Sequence, residues 1–227
     1  MKKKCAFTLV EVLITLTVIG IVAALASPAL NTAIQKSKVG PSLRKFISTM
    51  ENANEHLLGD AEENTLSPIT NNSSDVYCDR LKRYIKGNTS GTAPSVLGYT
   101  KSAITLPEDG KVFNFARGDS MYVALYEPSA EEANQPNGSY KGHCGVIYYD
   151  LNGFDTAPNS LGKDIFEFYI DNGGTIIPRA SKMDRSVYPD HEENKWSDSC
   201  SAAQITGDGH NCAGSVADNG WKVIYKY

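Results

Sequence analysis

A run of apolar residues near the N-terminus limits what this chain can become. From Phe7 to Leu30 the sequence FTLVEVLITLTVIGIVAALASPAL contains one charged residue, Glu11, and Lys2, Lys3 and Lys4 precede it across Cys5 and Ala6. At ~1.5 Å per residue a helix of this length reaches roughly 36 Å, enough to cross the ~30 Å hydrocarbon core of a bilayer. Glu11 is out of place there. A carboxylate inside a membrane helix costs on the order of 2–3 kcal/mol, less near an end, so Glu11 needs a partner.

The order basic leader, small residue, Phe, then Glu resembles the N-terminal signature of type IV prepilins and type II secretion pseudopilins. The residues that carry it are Ala6-Phe7-Thr8-Leu9-Val10-Glu11. The resemblance implies cleavage by a prepilin peptidase between Ala6 and Phe7, N-methylation of Phe7, and an assembly role for Glu11. Ala6 departs from the family pattern, which usually has Gly here; alanine is the next smallest residue. The match covers about the first 30 residues, and the rest is similar only in layout.

Elementary electrostatics supports the same reading. Cleavage would place an α-amino group on Phe7, one helical turn from Glu11, where amine and carboxylate each need compensation. Opposite charges on two neighbouring subunits can supply it. Three plainer readings compete. Ala24-Leu25-Ala26 before Ser27 is a good site for an ordinary secretory peptidase. Cys5 could mark a lipoprotein, although the apolar region follows that cysteine instead of preceding it. The third is a simple signal anchor with an incidental glutamate.

With 227 residues and 41% hydrophobic content, the chain holds a membrane helix plus one modest domain. Loss of the leader takes the basic count from 22 to 19 against 26 acids, so the formal charge falls from −4 to −7. An acidic mature chain argues against generic nucleic-acid binding. Cys5 leaves with the leader, and Cys78, Cys144, Cys200 and Cys212 remain, an even number that suits an oxidising compartment. Of the three possible pairings, Cys200–Cys212 with Cys78–Cys144 is favoured. Lysines flank both ends of the apolar run, so they do not orient it. The cysteines and the large C-terminal part do: N-terminus cytoplasmic, domain outside.

Beyond Pro28 an amphipathic helix is predicted to continue to Leu58, with Leu43, Phe46, Ile47, Met50, Leu57 and Leu58 on one stripe. Kinks are expected at Pro28 and Gly40-Pro41. The expected organisation is a leader 1–6, a transmembrane and assembly segment 7–30, the exposed half of the helix 31–58, and a globular domain 59–227. Within that domain, residues 59–74 read as a loop, Asp75–Lys86 as a short helix, and 87–94 as turns. Strands are predicted at Val112–Ala116, Met121–Glu127, Val146–Leu151, Ile165–Ile170 and Thr175–Pro178, with a hairpin turn at Asp171-Asn172-Gly173-Gly174. Residues 181–219 read as irregular and Trp221–Tyr227 as a final strand or edge segment. The layout resembles an α+β pilin-like fold: a long N-terminal membrane-spanning helix packed on an antiparallel β-sheet, with a disulfide-closed C-terminal loop.

Metal and catalytic chemistry has few candidates. Asp150, Asn152 and Asp155 open an oxygen-rich stretch through Asp164; similar stretches recur in some pilin-like proteins, and several pseudopilins hold calcium in such a loop. The EF-hand pattern fails at Phe154, Asp155 and Leu161, and the competing reading is that these residues build consecutive turns. His143 and Cys144 are adjacent on a predicted strand and point to opposite faces, which makes Cys144 a poor nucleophile. Cys200, His210 and Cys212 supply only three ligands for zinc, and His191-Glu192-Glu193 lacks a second histidine. No phosphate loop, dinucleotide fingerprint or serine elbow occurs. The expectation is a structural subunit without cofactor, calcium at 150–164 being the one metal option. Its expected partners are a prepilin peptidase, an inner-membrane assembly platform, copies of itself and other pilin-like subunits. The alternative is a membrane-tethered binding or hydrolytic domain acting as a monomer.

Overall fold

Helix α1, Leu9–Ala61, runs as one element of 53 residues through Pro28 and Gly40-Pro41. The computed structural model describes residues 8–91, 93–127, 143–187, 200–201 and 207–225. The two halves of α1 have opposite environments. Leu9 to Leu30 is exposed wherever its side chains are described, whereas Val39, Leu43, Phe46, Met50, Ala53 and Leu57 are all buried. Their alternating four- and three-residue steps place them on one stripe, and that stripe is the floor of the globular core.

The partner of this stripe is a six-stranded antiparallel sheet in the order β1-β4-β5-β6-β7-β8. Its strands are β1 (Gly87–Ser90), β4 (Lys111–Phe115), β5 (Ser120–Leu125), β6 (His143–Asp150), β7 (Ile165–Asp171) and β8 (Ile176–Pro178). Period-two alternation divides β6. Ile147 and Tyr149 join the core against α1, while Val146 and Tyr148 join a second cluster on the other face. Phe46 marks the centre of the first core, stacked on Tyr149 at 4.0 Å between ring centroids and 5.3 Å from Phe168. Polar ties fix the packing. Asn54 Nδ2 donates to the Gly174 carbonyl at 2.7 Å, and the Tyr77 hydroxyl donates to Asn54 Oδ1 at 2.8 Å.

The α+β expectation holds, with an addition: the outer sheet face is also covered. The small hairpin of β2 (Val96–Leu97) and β3 (Ala103–Ile104) lies over Tyr122, Tyr148 and Ile165, joined to the 150–164 loop by a parallel bridge between Leu97 and Ser160. The five predicted strands and the 171–174 hairpin form within one to three residues of their expected limits.

Other elements differ. Part of the supposed loop at 59–74 forms α2 (Leu66–Thr70), and α3 (Ser74–Leu81) is shorter than predicted. Val76 is exposed on α3, while Tyr77, Cys78 and Leu81 are buried. Gly87–Ser90 is an edge strand instead of a turn. The irregular tract contains α4 (Lys182–Val187) and α5 (Cys212–Asp218). The final strand is absent from Lys222–Tyr225. This segment is held by Trp221 N donating to Val216 O and by the buried Tyr225 hydroxyl donating to Gly162 O.

Candidate functional site

The first turn of α1 is closed by a capping box. Thr8 Oγ1 accepts from Glu11 N at 3.2 Å, and Glu11 Oε2 accepts from Thr8 N and from the Thr8 hydroxyl, each at 2.8 Å. Such a box satisfies helix-start donors that would otherwise lack partners. The T-x-x-E spacing was available in the sequence, so the Thr8 role missed above was readable. Ala6 and Phe7 lie outside the described residues.

After that turn the helix offers an apolar surface that nothing among the described residues covers. Leu9 is 77% exposed and Leu25 75%, and none of the most apolar window is buried. The two hydroxyls in its early part are satisfied internally: Thr15 donates to Val12 O at 2.9 Å and Thr17 to Leu13 O at 2.8 Å. A helix of this length with internally closed hydrogen bonds suits a hydrocarbon environment.

Turn-building accounts for two of the three calcium candidates. Asp150 Oδ1 accepts from the backbone N–H groups of Asn152 at 2.9 Å and Gly153 at 3.1 Å, and Asn152 Nδ2 donates to Thr156 O at 2.9 Å. Gly153 sits at φ +82°, where a Cβ would meet the Gly118 carbonyl at 2.6 Å. Asp155 is exposed. Asp164 closes the other end of the loop, accepting from Asn159 N and Ser160 N at 2.9 and 2.7 Å. Among the described residues, no group of three or more His, Cys, Asp or Glu could hold a metal. Two oxygens of the loop, Asp150 Oδ2 and Asn159 Oδ1, are buried without a hydrogen-bond partner. Burial raises the Asp150 carboxyl to about 7, against the lowering effect of its two backbone donors.

Cys200 and Cys212 form the expected disulfide. The other expected pairing is corrected: Cys78 on α3 and Cys144 on β6 are separate, buried free thiols. Burial pushes both up to about 12, which leaves almost no thiolate for exchange. Cys144 lies in the α1-side core, while His143 stacks on Tyr169 at 4.0 Å, so the two side chains diverge as predicted.

One polar cluster escaped the sequence reading. Glu167, 2% exposed on β7, accepts from Arg179 Nη1 and bonds His210 Nδ1. The disulfide-closed loop is thereby tied to the sheet through His210, so this histidine binds a carboxylate and completes no zinc set. A polar cleft of about 910 Å³ contains the Asp75–Lys111 ion pair and Tyr122, whose hydroxyl donates to Pro107 O. His191-Glu192-Glu193 lies outside the described residues.

A long helix that opens on the Thr8–Glu11 capping box, is apolar and exposed through its first half, and is fused to an α+β domain has the layout of a pilin-like fold. Residues 1–27 match the family model of the prokaryotic N-terminal methylation motif, the signature of type IV pilin and pseudopilin precursors. No curated protein and no solved structure matches the chain.

Proposed function

We propose that this chain is a structural subunit, cut before Phe7, methylated there, and polymerised through the first half of α1 into a type IV pilus or secretion pseudopilus. The supporting observation is the division of α1: the stripe from Val39 to Leu57 is buried in the domain, whereas the described side chains of Leu9–Leu30 stay exposed and that half is capped by Glu11. A membrane can cover that surface before assembly, and copies of the same helix can cover it afterwards. The domain then lies on the extracytoplasmic side, where the Cys200–Cys212 disulfide persists.

The filament test compares sheared-filament yield with total membrane protein for wild type and Glu11→Ala. Normal accumulation with little filament is expected for Glu11→Ala. Equal polymerisation would remove the assembly role of Glu11. N-terminal mass spectrometry tests processing: a methylated Phe7 is expected, and a mature start at Met1 or Ser27 would overturn it. A monomer with an uncut leader would instead favour a tethered binding or hydrolytic domain.

A further inference from the structure

We propose that the groove between α1 and the C-terminal segment binds the phosphate of an anionic phospholipid headgroup, seating the domain on the bilayer; this rests on the membrane-anchored reading above. The groove has a volume of about 830 Å³ and is lined by Lys36, Arg44 and Lys222 together with Trp221, Ala33 and Pro41, and among the described residues no acid lines it. The Lys36 ammonium donates to the Tyr225 carbonyl at 2.8 Å, which holds it in place without neutralising it. The C-terminal segment lies directly on the helix. A Cβ at Gly40 would fall 1.7 Å from the Trp221 carbonyl oxygen, so glycine is what permits the approach.

Charge is distributed unevenly along α1 and its C-terminal cap. Lys36, Lys38, Arg44 and Lys45 come without an acid among them, and Glu51, Glu55, Asp60, Glu62 and Glu63 follow. The cationic part is the part next to the membrane segment. Exposed large apolar side chains extend to Ile34, and Lys36 is two residues further on. Gly40, against which Trp221 rests, is only ~9 Å past Ile34 along the axis. The headgroup layer adds ~5–8 Å beyond the hydrocarbon, and electrostatic attraction reaches about another 8 Å at physiological salt.

Length mismatch favours the same contact. Leu9 to Ile34 rises ~39 Å against a core of ~30 Å, and a helix takes up such an excess by tilting. Tilt lowers one side of the attached domain to the surface. The side bearing three cations and a half-buried Trp is the one chemically suited to it, since Trp prefers the interface and each basic residue near an anionic surface is attracted to it.

The test uses the full chain in nanodiscs of pure phosphatidylcholine or of phosphatidylcholine mixed with phosphatidylglycerol. Lysine acetylation rates are read by mass spectrometry. Lys36 and Lys222 are expected to react about threefold or more slowly in the anionic discs, and molar salt should abolish the difference. Lys82 serves as the control. It lies near Tyr84, whose hydroxyl donates to Asp60 at the far end of α1, and its rate should not change. The double variant R44E/K222E should lose the anionic-disc protection of Lys36 while still floating with the discs. Equal rates in both disc types would overturn the proposal. Protection that follows the number of chains per disc instead of lipid charge would also overturn it, and would make this face a contact between copies. A chain that fails to float with any disc would overturn the membrane-anchored reading as well.

Discussion

Glu11 and Thr8 cap one another across the first turn of α1, with Glu11 Oε2 2.8 Å from both the backbone nitrogen and the hydroxyl of Thr8. The carboxylate that the sequence leaves unpartnered thus has donors within its own chain. A carboxylate has a second oxygen able to accept from an amine, so local capping and pairing with a neighbour's Phe7 are compatible.

Three variants separate these roles. Glu11→Gln retains a capping-box residue and loses the charge; Thr8→Ala loses the side-chain acceptor for the residue-11 N–H and retains the charge; Glu11→Ala loses the charge and the acceptor for the Thr8 N–H but keeps the Thr8 side-chain cap. If charge pairing drives assembly, filament yield should fall with both Glu11 variants and stay near wild type with Thr8→Ala. A near-normal Glu11→Gln beside a defective Thr8→Ala would assign the effect to helix capping.

Glu167→Gln should lower the stability of the domain by about 2 kcal/mol in urea unfolding of the full chain in detergent. Breaking a fully buried ion pair costs ~3–5 kcal/mol. Here the Arg179 and His210 side chains each retain 27% exposure, so water compensates part of the loss. An unchanged midpoint would show that the pairing contributes nothing net.

Legibility in the sequence followed the range of the interactions. The N-terminal apolar segment, the Leu43–Leu57 stripe and the apolar strands were readable because each is a local pattern, a continuous run in the first case and a repeat of period 3.6 or 2 in the others. The Asp171–Gly174 hairpin was readable because its turn chemistry is contained in four residues. Edge strand β1 was not, since Gly-Asn-Thr-Ser has no apolar alternation and forms through pairing with β4. The cluster at Glu167 was hidden for another reason. It joins residues 12 and 43 positions apart, and only the path of the sheet and the disulfide brings them together. The 150–164 loop was ambiguous in principle, because Asp, Asn and Gly serve calcium sites and tight turns alike. The packing of its Leu161 and Phe154 with Tyr148 and Ile165 depends on the outer face of a sheet that no local pattern reveals.

The cysteines should divide into two chemical classes. Under non-reducing peptide mapping Cys200–Cys212 is expected as a linked pair. Cys78 and Cys144 should resist alkylation in the folded chain and react on unfolding, because burial suppresses both thiolates. Reducing the bridge should cost ~3 kcal/mol, since it closes a loop of about 13 residues. Rapid alkylation of Cys78 or Cys144 in the native protein would contradict the buried-thiol arrangement.

The last prediction concerns Asp150. Its carboxyl is raised by burial from 3.8 to about 7, and the nearby Asp164 and Asp119 add to the rise. The folded state therefore holds this proton more tightly than the unfolded state. Stability contributed by the neutral form is complete below pH ~4, falls as pH rises towards ~7, and is absent above that, a loss on the order of a few kcal/mol. Asp164, also raised by burial, acts in the same direction. Asp150→Asn keeps an oxygen for the Asn152 and Gly153 N–H groups and cannot ionise. Relative to wild type it should gain melting temperature between pH 5 and 8, with little difference near pH 4. Calcium reverses the sign: a cation held by Asp150, Asn152 and Asp155 would stabilise the ionised carboxylate, so millimolar calcium would raise the wild-type melting temperature at pH 7.5, chelator would lower it, and Asp150→Asn would respond to neither. The turn geometry leads us to expect no calcium response in either protein. Calcium stabilisation of wild type alone would show that the loop is a metal site and that the Asp150 carboxylate is one of its ligands.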